Sequence, residues 1–122
     1  MKELKPLVIL WFKTIYVIIK IKMTIQQFDN MVKKGVHLVD LYQVTCPPCR
    51  KLAPVIEEVK EYYKDLAGIH AVNVSNNPEI ASRYNIKAVP ALLYFLDGQL
   101  QEIEFGYKSR DYLQGKLNYY LP

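Results

Sequence analysis

The chain is expected to be an α/β domain with a central mixed β-sheet of four to five strands and helices on both faces. Three observations carry that expectation. Segments of strand-like and helix-like patterning alternate in the order β-α-β-α-β-α-β-β-α. Both cysteines of the 122-residue chain fall in one motif, Cys46-Pro47-Pro48-Cys49, placed between a strand and a helix. An Asp97-Gly98 pair separates two apolar runs and marks a hairpin, so the end of the sheet is antiparallel while the early β-α-β units imply parallel pairing.

Taken in order, Val17 to Met23 is β-branched and alternates with lysine near its end, as an edge strand does. Thr24 stands as an N-cap with Gln27 three residues on, and Ile25, Phe28, Met31 and Val32 share one helical face. Gly35 is expected at the helix C′ position, with Lys33 and Lys34 in the last turn. Val36 to Tyr42 is a nearly continuous apolar run, as in a strand buried on both faces, interrupted by Asp40.

After the cysteines, Leu52, Val55, Ile56, Val59 and Tyr63 recur at helical spacing with Glu57, Glu58, Lys60, Glu61 and Lys64 opposite. Pro54 should kink that helix about one turn in. Ile69 to Val74 reads as a strand, and Pro78 suits the start of a short helix with Ile80, Ala81 and Tyr84 inward. Ala91 to Leu96 and Leu100 to Phe105 form the hairpin. Ser109 caps a last helix, Arg110 to Tyr120, weakened by Gly115.

The net charge of +4 hints at an acidic partner, but all of it lies in residues 1–22; residues 23–122 balance 11 basic against 11 acidic side chains. No nucleic-acid partner is expected from such a body. Residues 1–16 are set apart as an N-terminal extension, and residues 17–122 as the domain. Lys2 and Lys5 before an apolar run resemble the start of a signal or an anchor, yet Lys13 breaks the run and no small-residue cleavage site follows. An element packed on the domain, a loose extension and an uncleaved anchor through residues 7–19 are the alternatives for this stretch, and Met23 is an alternative start.

A C-x-x-C between strand and helix is a redox signature. A bridge across two residues restrains little unfolded-chain entropy, so its value is chemical. Two cysteines alone do not supply the four ligands of a structural zinc site, and no metal is expected. His37 and His70 read as ordinary, partly buried strand residues.

Several separated elements together resemble the thioredoxin family over roughly residues 17–120. They are Asp40 six residues before Cys46, the Cys46-Pro47-Pro48-Cys49 motif with Pro48 at the family's proline, Ala53-Pro54 in the following helix, Val89-Pro90 at the family's cis-proline, and Asp97-Gly98 with Gly106. The chain departs from the family's common pattern at Tyr42, Thr45, Pro47 and Ala71, the last standing where a lysine often neighbours the aspartate.

The resemblance implies a thioredoxin fold and a thiol–disulfide oxidoreductase that reduces protein disulfides. Cys46 would be the nucleophile, favoured as thiolate at a helix N-terminus, and Cys49 the resolving thiol. Asp40 would accept the Cys49 proton, with its pKa raised by burial. Thr45, Pro47, Pro48 and Arg50 would form the active-site loop, and Arg50 is a candidate support for the thiolate. Pro47 removes one N–H near the Cys46 sulfur and stiffens the loop. Val89, Pro90 and Gly106 would line the substrate groove.

No bound cofactor is implied, because electrons would come from a thioredoxin-reductase-like partner to a cytoplasmic monomer. An exported or membrane-anchored oxidase or isomerase is the alternative enzyme. A thioredoxin-fold binding module without catalysis is the alternative of a different class.

Overall fold

The computed structural model describes residues 23–122. The N-terminal extension, and the expected edge strand apart from Met23, lie outside the described residues. Among these, α1 (Ile25–Met31), β1 (Val36–Tyr42), α2 (Pro47–Tyr62), β2 (Gly68–Asn73), α3 (Pro78–Arg83), β3 (Ala91–Leu96), β4 (Gln99–Phe105) and α4 (Arg110–Tyr120) follow one another along the chain. The four strands form one sheet in the order β2-β1-β3-β4. This is a thioredoxin fold with a mixed sheet.

Side chains alternate across the sheet because successive residues of a strand face opposite ways. Leu38, Leu92 and Tyr94 meet Leu52, Ile56 and Val59 of α2 and Leu113 and Leu117 of α4 on one face. Val39, Leu41, Leu93 and Phe95 meet Phe28 of α1 and Ile80 of α3 on the other. Helices therefore cover both faces, and the continuous apolar runs of β1 and β3 are explained by burial on each side.

Capping follows the sequence closely at α1. Thr24 Oγ1 accepts from the Gln27 N–H at 3.0 Å, and Gln27 Oε1 accepts from the Thr24 N–H at 2.9 Å. The end of α1 differs from expectation: the helix stops at Met31 with Val32 as its C-cap, so Gly35 is not the C′ residue. Gly35, at φ +81°, instead turns the chain into β1. Its N–H donates to Asp97 Oδ1 at 2.8 Å and its carbonyl accepts from the Asp97 N–H at 3.0 Å, tying this turn to the hairpin. Asp97 and Gly98 both have positive φ, the backbone of a tight type I′ turn.

Parallel pairing is confined to β1 and β2 among the described strands; β3 runs antiparallel to β1. The reason is the length of α3. Its six residues advance about 9 Å, against about 20 Å for a six-residue strand such as β2. The helix is too short to return the chain to the far end of the sheet, so β3 starts at the end where β1 and β2 finish.

At the opposite end of the sheet His37 and His70 stack with ring centroids 5.2 Å apart. His37 Nε2–H donates to the Lys34 carbonyl at 2.7 Å, which leaves Nδ1 to accept from His70 Nε2 at 2.9 Å. Gly68 is required beside them, since a Cβ there would stand 2.2 Å from His37 Nδ1. The partnership of two histidines 33 residues apart is not visible in sequence.

No helix among the described residues is long and apolar enough to cross a membrane. On the outer edge, Lys116 Nζ sits 2.6 Å from Glu102 and 3.8 Å from Glu104, joining α4 to β4.

Burial, followed by the His37 and Lys60 charges, pushes the His70 pKa down to about 4. The unfolded chain therefore takes up this proton first as pH falls from about 6.5 to 4, and stability declines over that window. Allowing for its partial exposure, the effect is about 2 kcal/mol. His70→Asn should flatten the acid limb by that amount, read as the difference between parent and variant in urea unfolding at pH 7 and pH 4. Gly68→Ala should cost about 1–3 kcal/mol in the same measurement at pH 7.

Candidate active site

The site grows from the C-terminal end of β1. After Tyr42 the chain turns through Val44 and Thr45, and Cys46 becomes the N-cap of α2 with extended backbone, φ −90° and ψ 110°. Pro47 and Pro48 occupy the first two helical positions, where a missing N–H breaks no ladder bond. Cys46 and Cys49 are joined as a disulfide with Cα atoms 5.2 Å apart. Cys46 is half-buried, whereas Cys49 is only 2% exposed.

The two prolines leave few donors for the sulfur. The Cys49 N–H reaches Cys46 Sγ at 3.2 Å, and the Arg50 N–H is already committed to the Cys46 carbonyl at 3.1 Å. The helix thus presents one backbone donor to the sulfur. Arg50 does not add another: its Nη1 donates to the Val44 carbonyl at 3.2 Å and braces the loop, and no hydrogen bond among the described residues joins it to the sulfur. Pro54 lies inside a helix that runs unbroken from Pro47 to Tyr62, without an N–H for the Arg50 carbonyl.

The loop from α3 delivers the second side of the site. Because β3 begins at the same end of the sheet, Val89 arrives with its carbonyl 3.7 Å from Cys46 Sγ. The Val89–Pro90 peptide is cis, and Pro90 is buried. The Pro90 carbonyl accepts from the Gly106 N–H at 2.9 Å, and Gly106 holds φ +88°, which favours glycine. A Cβ added at Gly106 would meet nothing within 4 Å. Val89, Pro90 and Gly106 are therefore brought together, with Val89 against Cys46, although up to 60 residues of chain separate them. Thr45, Pro47 and Pro48 form the exposed rim.

Behind the disulfide lies Asp40, 2% exposed, with Oδ1 lacking any hydrogen-bond partner. It shares the α2-facing side of the sheet with Leu38, and its neighbours across the ladder are Ala71 and Leu92. A cavity of about 210 Å³ connects it to Cys49, with Tyr42, Ala71 and Glu57 also on its wall. Burial pushes the Asp40 pKa up to about 7. Among the described residues no cation opposes that shift, since the cross-strand neighbour is alanine. No cluster of metal-binding side chains occurs among the described residues.

Comparison with known proteins agrees with this geometry. The family model described as Thioredoxin matches residues 19–119. The chain belongs to the thioredoxin family. A Staphylococcus aureus thioredoxin is 36% identical over 101 residues, covering 83% of this chain and 97% of that protein. A mutant thioredoxin from Halobacterium salinarum superposes with a TM-score of 0.76 at 29% identity, covering 83% of this chain and 88% of the other. Malassezia sympodialis thioredoxin gives 0.72 at 25% identity, covering 80% and 88%. The paired cysteines carry thioredoxin-type thiol–disulfide chemistry.

Within this thioredoxin site, Glu57 is the lining residue that the sequence pattern assigned to the polar face of α2. Its signal is present in hindsight: Cys49, Ala53 and Glu57 are spaced at intervals of four and share a helical stripe.

A carboxyl whose pKa rises on folding destabilises the folded chain wherever the unfolded chain has lost that proton and the folded chain must lose it too. The penalty from Asp40 is absent below pH ~4, grows toward pH 7 and is complete above it. Asp40→Asn should therefore stabilise the oxidised protein by up to about 4 kcal/mol at pH 8. At pH 5 less than half of that gain should remain, as measured by urea unfolding at the two pH values.

Proposed function

We propose that this chain reduces protein disulfides, with Cys46 as nucleophile, Cys49 as resolving thiol and Asp40 as proton acceptor. The observation that carries the proposal is a half-buried Cys46 linked to a buried Cys49, which shares a cavity with an unpartnered carboxyl. The family's thiol–disulfide chemistry supplies the reaction class.

In the reduced chain the Cys46 thiolate attacks one sulfur of a substrate disulfide. That S–S bond breaks, and the second substrate sulfur leaves as a thiolate that takes a proton from water. Cys49 then gives its proton to the Asp40 carboxylate and attacks Cys46 Sγ. The mixed disulfide breaks, the attacked substrate sulfur leaves as a thiolate that takes a proton from water, and the Cys46–Cys49 disulfide remains, the substrate having gained two electrons. A thioredoxin-reductase-like partner returns two electrons by the same exchange in reverse. The Val89 backbone, beside the attacking sulfur, would pair with an extended substrate segment, with Pro90 and Gly106 shaping the groove. Such a donor belongs in the cytoplasm, where thiols are kept reduced.

Cys49→Ser should accumulate a mixed disulfide with a substrate protein, detected as a reductant-sensitive adduct, while Cys46→Ser should form none. Equilibration of the parent pair with glutathione should give a potential near about −270 mV; a value near about −120 mV would instead identify an oxidant. Asp40→Asn should slow turnover at pH 7 by roughly tenfold or more, while leaving the Cys49→Ser adduct able to form in the double variant.

A further inference from the structure

Resting on the dithiol chemistry proposed above, we infer that Glu57 is the proton relay between the Asp40 cavity and solvent. Asp40 can accept the Cys49 proton only as a carboxylate, and because burial pushes its pKa up to about 7, a protonated share of the molecules must first lose that proton to solvent; Asp40 has no direct exit of its own. It is buried, its Oδ1 is unpartnered, and the sheet covers it on both sides through β2 and β3.

The cavity of about 210 Å³ is the opening. It has room for several water molecules at about 30 Å³ each. Asp40, Cys49 and Ile56 form its buried floor, and Tyr42 is a half-buried wall. Ala53, Glu57 and Ala71 are exposed and mark its mouth. Of these three, only Glu57 carries an ionisable group. Tyr42, the remaining polar side chain on the wall, is half-buried and offers a phenol in place of a carboxyl.

The next residue along the helix makes the contrast. Glu58 is engaged by Arg110 Nη1 at 2.8 Å, on the side of α2 that faces α4. Glu57 has no hydrogen-bond or ion-pair partner among the described residues, so its carboxylate stands uncommitted at the mouth. The route is then protonated Asp40 to cavity water, water to Glu57, and Glu57 to bulk solvent, with the proton conserved at each transfer, and it leaves the Asp40 carboxylate ready to take the proton of Cys49 Sγ–H.

Glu57→Gln and Glu58→Gln remove the same charge at adjacent exposed positions, and only the first lines the cavity. In single-turnover resolution of a mixed disulfide at pH 7 and low buffer concentration, Glu57→Gln should be slower by about tenfold. High concentrations of imidazole or acetate should restore its rate by carrying the proton directly. Glu58→Gln should match the parent, and the equilibrium potential should be unchanged in both variants, since a relay alters rates alone. A Glu57→Gln rate equal to the parent's in dilute buffer, an equal slowing in Glu58→Gln, or a slowing that buffer leaves uncorrected would each overturn the relay while the reductase stands. A parent chain inactive toward disulfides would overturn both.

Discussion

The site depends on how β1 is paired. As an inner strand of the sheet it takes β2 in parallel on one edge and β3 antiparallel on the other. The parallel partner requires a long crossover, which α2 supplies, and the crossover must begin where β1 ends. That fixes the helix N-terminus, and with it Cys46, at one end of the sheet. The antiparallel partner starts at that same end, so the residues leading into β3 are delivered to the sulfur. The cysteine pair and the Val89–Pro90 segment meet because one strand has neighbours of both senses.

The same strand carries a cost at the third residue of its α2-facing side. Asp40 occupies a position that Leu38 and Leu92 show to be core, and its carboxyl finds no partner there. At the other end of the strand, His37 closes a pair with His70, whose lowered proton affinity works in the opposite sense. Acidification relieves the buried Asp40 carboxyl and stresses the half-buried His70 imidazole over overlapping ranges of pH. The two contributions oppose one another from neighbouring strands, Asp40 on β1 and His70 on β2.

The Pro-Pro pair narrows the electrostatics of the thiol. A helix N-terminus offers free N–H groups to an anion, but here the first two positions have none and the Arg50 guanidinium is turned to Val44. Stabilisation of a Cys46 thiolate rests chiefly on the Cys49 N–H and the aligned dipoles behind it. The stiff loop compensates by holding the sulfur beside Val89 without the freedom that a glycine would introduce.

Much of this was legible in the residues. Periodicity placed β1, β3 and α4 at their observed bounds, the Thr24 capping box and the Asp97-Gly98 turn formed as expected, and the cysteine motif announced its chemistry. These features are local: they depend on alternation, spacing and backbone preference over a few residues. Gly35 misled because its positive φ serves a contact with Asp97 rather than the helix end, and the His37–His70 pair was hidden by a separation of 33 residues along the chain. The direction of β3 followed from comparing the length of a helix with that of a strand in three dimensions. The cavity joining Asp40, Cys49 and Glu57 could be located only once β1 and α2 were packed face to face. The sequence by itself determined which groups can do redox chemistry, whereas the tertiary structure decided which of them share a space, because proximity between distant segments is set by packing and not by spacing along the chain.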